Sequence, residues 1–275
     1  MSLFRANPVL GREVGVRLRL SRYSKVNKIA IYSTVFGLLP VVYVLTLRLL
    51  FTRTSMNAGR DFYSAWMLLI EMTAALLLPA ALTASASTSE REKQTWNALL
   101  LSRLSDGQVV IGKLVGALTP LGILFAMFFP INLLAALVAE VRPTTFIAGH
   151  AVLIAAGLLS ASIGLFCSWA FRRTQIALVV TVLSLLVVML GAPLLYVLTD
   201  MANSYTGMRT ETFLPFWFNP YFAMQRLAEN PDNLGYRELV PATTITYLVA
   251  SLLASAMMLF TVTKRLKLGP EELTH

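Results

Sequence analysis

Six stretches of this sequence stay apolar for about 20 residues or more, the length an α-helix needs to cross the hydrocarbon core of a bilayer. They run Ile29 to Phe51, Phe62 to Ser87, Leu114 to Ala139, Phe146 to Phe171, Ile176 to Leu198 and Ala242 to Thr263. Lipid offers no hydrogen-bond partner to a backbone group, so each stretch must be a helix or a strand of a closed barrel. Barrel strands alternate polar and apolar residues over about ten positions, and these blocks do not alternate. Charged residues make up 13% of the chain, against about 25% in soluble domains, too few to cover a water-facing surface of this size. The fold class is therefore all-α membrane protein with six transmembrane helices. A basic arm spans residues 1–28, a six-span domain 29–263 and a short tail 264–275.

The net charge of +9 raises nucleic acid as a partner, but the placement of the cations answers for most of it. Basic residues collect in cytoplasmic segments of membrane proteins. Alternate segments, starting with the N-terminus, hold Arg5, Arg12, Arg17, Arg19, Arg22, Lys25 and Lys28, then Arg91, Lys93, Arg103 and Lys113, then Arg172 and Arg173, then Lys264, Arg265 and Lys267. Those are sixteen of the 23 Lys and Arg residues. This pattern puts both termini in the cytoplasm, makes the lipid bilayer the first partner, and leaves no call for nucleic acid. Val9, Val16, Leu20 and Tyr23 share a stripe at helical spacing in the arm, which serves either as an interfacial helix or as a plain orientation signal against anionic lipid.

Cys167 stands alone, so no internal disulfide and no oxidising compartment is implied. His150 and His275 lack partners at metal-ligand spacing. The first apolar block follows a long basic arm with no small-residue cleavage site, which reads as an uncleaved span. No Ser/His/Asp set, carboxylate pair or His/Cys cluster forms a catalytic constellation, so the chain is not expected to be an enzyme itself.

The segment after the second span mixes dense charge with a leucine run: Ser89, Glu90, Arg91, Glu92, Lys93, Gln94, Thr95, Trp96, Asn97, Ala98, Leu99, Leu100, Leu101. Ser89 with Glu92 and Ser105 with Gln108 match capping boxes, predicting a short helix between them and a restart into the third span. Such a helix either offers Trp96, Leu99 and Leu100 to a partner or packs on the protein's own spans. Gly107, Gly112 and Lys113 match the spacing of a phosphate-binding loop, but Leu114 stands where a Ser or Thr hydroxyl should hold magnesium. No cofactor is therefore expected in this chain, and if it serves ATP-powered transport, the ATPase that binds ATP and Mg must be a separate subunit.

Glu71 is the one carboxylate deep within a span. It lines a pathway or subunit interface, or it is a paired or neutral structural carboxyl; Arg48 is the intramembrane cation placed to snorkel towards it. Pro40, Pro79, Pro120, Pro130 and Pro193 fall within spans, where they kink helices and free carbonyls. Between the fifth and sixth spans, Phe213 to Phe222 read FLPFWFNPYF. Asn219 suits an N-cap and Pro220 a first helical position, with Tyr221, Met224 and Ala228 on one face. The segment, with Phe216 and Trp217, is either a re-entrant or interfacial helix or an aromatic belt at the headgroups.

Together these residues resemble the permease subunits of type-2 ATP-binding-cassette exporters. Asn7-Pro8-Val9-Leu10 with Arg12-Glu13 looks like the start of such subunits. Glu90, Glu92, Thr95, the run Leu99 to Leu101, Ser102, Leu104, Ser105 and Gly112-Lys113 are similar to the family's loop signature. Gln94 departs from it where Gly is usual, and Arg103 where Pro is usual. The resemblance implies two six-span halves, identical or homologous, and two copies of an ATPase subunit that binds ATP and Mg. It also implies that the helix after Glu92 is a coupling helix docked in the ATPase, with Glu90, Arg91, Glu92, Thr95, Trp96, Leu99 and Leu100 as its coupling residues. Phe216, Trp217, Asn219 and Pro220 would form an outer gate. The competing functions are a membrane anchor or scaffold that recruits a cytoplasmic partner through the same loop, and a secondary transporter driven through Glu71, which the lack of visible repeat symmetry weakens.

Overall fold

A computed structural model describes residues 63, 66–95, 105–202, 213–228 and 240–266. The basic arm, the first expected span at 29–51 with Pro40 and Arg48, the segment holding Trp96, Leu99, Leu100 and Arg103, and the tail from Lys267 lie outside them. Every described element is a helix. A π-helical turn, Trp66–Glu71, leads into α1, Met72–Ala84; a three-residue break separates α1 from α2, Thr88–Glu92. Then come α3, Asp106–Val138, α4, Pro143–Ala170, and α5, Thr174–Ala202. A 3-10 turn at Leu214–Phe218 precedes α6, Pro220–Ala228, and α7 is Ala242–Lys264.

Five helical stretches are long and apolar enough to cross a membrane: Met72–Glu92, Asp106–Val138, Pro143–Ala170, Thr174–Thr199 and Ala242–Lys264. These are the second to sixth expected spans. The third starts eight residues earlier than hydropathy suggests, because Ser105 caps it. Its hydroxyl accepts from Gln108 N at 3.3 Å, and Gln108 Oε1 accepts from Ser105 N at 3.0 Å. Both bonds of the predicted box are present.

The central helix is α4, 78% buried along its apolar window, while α5 and α7 are 17% and 22% buried. Its face towards α1 is a ladder of small residues at four-residue spacing: Ala156, Ser160, Gly164 and Ser168. Small residues let backbones approach where lipid gives helices no hydrophobic reason to associate. A methyl group on Gly164 would meet the Thr83 hydroxyl and sit 2.7 Å from the Ala80 carbonyl oxygen. Outward, α5 and α7 present Val187, Leu194, Leu253, Met257 and Phe260, all more than half exposed. An apolar surface this large suits lipid or another membrane chain and not water.

The cations sort to one end. Arg91, Lys93, Lys113, Arg172, Arg173, Lys264 and Arg265 lie where α2, α3, α4, α5 and α7 converge, and the opposite end has Arg142 and Arg226 among the described residues.

Two interior prolines leave carbonyls that side chains from elsewhere in the bundle repair. Proline has no N–H to give the carbonyl four residues back. Pro79 leaves the Ala75 carbonyl, which accepts from Ser160 Oγ of α4 at 2.9 Å. Pro193 leaves the Met189 carbonyl, which accepts from Asn219 Nδ2 at 2.9 Å.

Candidate functional site

The charged residues after the second span form a knot at the basic end, built where α1 breaks. At the break Ser87 N and Thr88 N donate to Ser168 Oγ at 2.7 and 3.2 Å. Lys113 Nζ of α3 donates to the Ala86 carbonyl at 2.6 Å and pairs with Glu90 at 2.7 Å. Lys113 is only 3% exposed, so its charge depends on this carboxylate and carbonyl. Arg91 Nη1 donates to the carbonyls of Trp169 and Phe171, which end α4, at 2.9 and 3.3 Å. Glu92 Oε1 accepts from the Thr174 N–H, the first turn of α5, at 2.9 Å. An acid at a helix N-terminus and a cation at a helix C-terminus both match the helix dipole. Trp169 Nε1 closes the knot by donating to the Arg265 carbonyl at 3.1 Å.

The predicted capping box at Ser89 and Glu92 is corrected by this arrangement. Helix α2 begins at Thr88 after Ser87, with no side-chain cap, and Glu92 is its last residue, engaged with Thr174. Glu90, Arg91 and Glu92 thus form the last turn of α2, and the helix expected beyond them falls on residues outside the described ones. The closure of α2 is a Schellman motif: Gln94 N donates to Arg91 O at 3.0 Å, and Thr95 N to Glu90 O at 2.9 Å. Thr95 Oγ1 adds a 3.2 Å bond to the same carbonyl. Gln94 has φ of 58°, a left-handed backbone that favours glycine. Gln94, where the resemblance expects Gly, thus holds a backbone that glycine adopts at lower cost.

Gly107 to Lys113 is helix from end to end, with the Lys113 ammonium turned onto Ala86 and Glu90. A phosphate-binding loop presents its N–H groups to the ligand; here they belong to helical turns.

Glu71 is buried with 0% exposure. The π turn, with its five-residue hydrogen-bond step, brings Trp66 alongside, and Trp66 Nε1 donates to Glu71 Oε1 at 3.2 Å. Asn132 Nδ2 of α3 donates to the same oxygen at 2.6 Å. Hydropathy gave no signal for Asn132, an isolated polar residue 61 positions away within an apolar block. Ser168 is another such residue, and Lys113 and Thr174 are partners from helices far along the chain.

At the opposite end, Asn219 caps α6 as expected, its Oδ1 accepting from Tyr221 N at 2.9 Å and Phe222 N at 3.1 Å. Its Nδ2 donates to Val188 O at 3.1 Å besides Met189 O. Phe216 is buried and stacks on Phe222 at 4.8 Å between centroids, while Trp217 is half-buried. The buried face of α6 runs through Phe222, Ala223, Met224 and Leu227, so of the expected stripe of Tyr221, Met224 and Ala228, Met224 is buried and Tyr221 half-buried. Tyr221 reaches sideways, its hydroxyl 3.0 Å from Thr73 Oγ1 of α1. Thr244 Oγ1 of α7 donates to the Ala223 carbonyl at 3.1 Å. An apolar hollow of about 470 Å³ lies between α5 and the 3-10 turn, lined by residues that include Val188, Leu195, Pro215, Phe218 and Asn219.

No protein-family profile matches the chain, and no curated protein matches it. The class defined by the fold is that of an all-helical protein with multiple candidate membrane spans.

Proposed function

We propose that this chain is the membrane-spanning permease subunit of an ATP-driven exporter of the type-2 ATP-binding-cassette class. In this reading the basic end faces the cytoplasm across the plasma membrane, following the positive-inside rule. A separate ATPase subunit, in two copies, binds ATP and Mg, and a second permease half, identical or homologous, completes the pathway. The observation that carries it is the knot. Glu90, Arg91 and Glu92 each grip a different helix of the bundle, α3, α4 and α5. Whatever pulls on the chain just after Thr95 therefore moves three helices together with the second span. A mechanical input needs such a mount, and the resemblance places the coupling helix there.

The roles within the loop then divide. Glu90, Arg91 and Glu92 transmit force by holding the bundle, and Trp96, Leu99 and Leu100 are the teeth that enter the ATPase. The outer segment at Phe216, Trp217, Asn219 and Pro220 closes the far end of the route. Purification of the tagged chain from its native membranes in mild detergent tests this. An ATPase subunit of the cassette class is expected to accompany it, and Trp96→Asp with Leu100→Asp should release that subunit while the chain melts as before. Recovery of the chain with no ATPase, or retention of the ATPase by the double variant, contradicts the proposal.

A further inference from the structure

We infer that Glu71 holds a proton in the folded protein, and that Glu71 and Asn132 form a cyclic carboxylic acid–amide pair around it. The bond from Asn132 Nδ2 to Glu71 Oε1, at 2.6 Å, joins two small planar groups. The atoms left over, Glu71 Oε2 and Asn132 Oδ1, are buried and have no hydrogen-bond partner. Both are acceptors as long as the carboxyl is charged. Two buried acceptors without a donor, on side chains already bonded to each other, form an arrangement folded proteins avoid. One proton on Oε2 makes that atom a donor and gives Asn132 Oδ1 the donor it lacks.

The surroundings favour the neutral acid. Glu71 makes no ion pair with a described residue, and its two bonds, from Trp66 and Asn132, both fall on Oε1. Two neutral donors on one oxygen do not replace the hydration of a full carboxylate. Titratable neighbours are Tyr63 and, from α4, His150, whose Nδ1 sits 2.9 Å from the Phe146 carbonyl oxygen. Tyr247 of α7 packs in the same core. Arg226 of α6 lies over the Phe222 ring, and Lys113 of α3 and Lys264 of α7 belong to the far, basic end. A metal cation fits poorly, because hard cations collect about six or more oxygens and two N–H groups already point at Oε1. The inference holds whatever drives the bundle.

Infrared spectroscopy of the full chain in lipid vesicles at neutral pH tests it, with Glu71→Gln as the reference. The wild type should show the deuterium-sensitive carbonyl stretch of a protonated carboxylic acid, and the variant should lack it. Glutamine puts an N–H where the proton is placed, so Glu71→Gln should fold and melt with the wild type, well above Glu71→Ala. Absence of the band overturns the inference, as does its loss on adding sodium or magnesium. So does a Glu71→Gln variant that fails to fold or melts as low as Glu71→Ala.

Discussion

The side-chain amide of Asn219 donates to the Met189 carbonyl, the one that Pro193 leaves without a helical donor, while its oxygen caps α6. One residue thus fills a gap in one helix and starts another. Asn219→Ala removes a cap and leaves the part-buried Met189 carbonyl without a donor, and should cost about 2 kcal/mol. Asn219→Asp keeps the cap but loses the donors, so it should recover little of that. Pro193→Ala restores an N–H for Met189 and should lessen the cost of Asn219→Ala by about 1 kcal/mol. Thermal unfolding of the four variants in detergent, read as a double-mutant cycle, measures the coupling.

The same logic bears on Lys113 and Glu90. Lys113→Met strands a carboxylate that is one-fifth exposed and should cost about 2 kcal/mol, below the 3–5 of a fully buried pair. Glu90→Gln leaves the 3% exposed Lys113 ammonium with only the Ala86 carbonyl and should cost more, about 3 kcal/mol. Equal melting temperatures for the two variants would contradict this ordering.

Gln94 sits in a left-handed turn. Gln94→Gly should stabilise the chain by about 0.5–1 kcal/mol, and Gln94→Val should destabilise it by about as much. Melting temperatures on either side of the wild type are the readout.

Gly164 lies against α1, whereas a methyl group at Gly107, in the first turn of α3, would meet nothing within 4 Å. Gly164→Ala should cost about 1–3 kcal/mol by overpacking. Gly107→Ala should be neutral or stabilising by up to about 1 kcal/mol. Detergent melting of both variants checks the contrast.

Legibility followed the range of the interaction. Ser105 with Gln108 and Asn219 with Pro220 are local patterns, and both formed as their spacing indicates. Ser89 with Glu92 has the same spacing but fell at the end of a helix, because Thr174 of α5 takes Glu92 as its own N-terminal acid. That competition is tertiary and leaves no trace in spacing. The partners of Glu71, Lys113, Pro79 and Pro193 lie in other helices and depend on how the small-residue face of α4 sets the packing. Arg48, the sequence candidate for Glu71, lies outside the described residues, and the partners found there are Trp66 and Asn132.

Site-specific crosslinking in native membranes reaches the central claim most directly. In a Cys167→Ser background, Trp96→Cys, Leu99→Cys and Leu100→Cys should each join the chain to an ATP-binding subunit. Ile147→Cys, at the opposite end, should not. Absence of an adduct at all three positions, or an adduct at position 147 alone, would contradict the account.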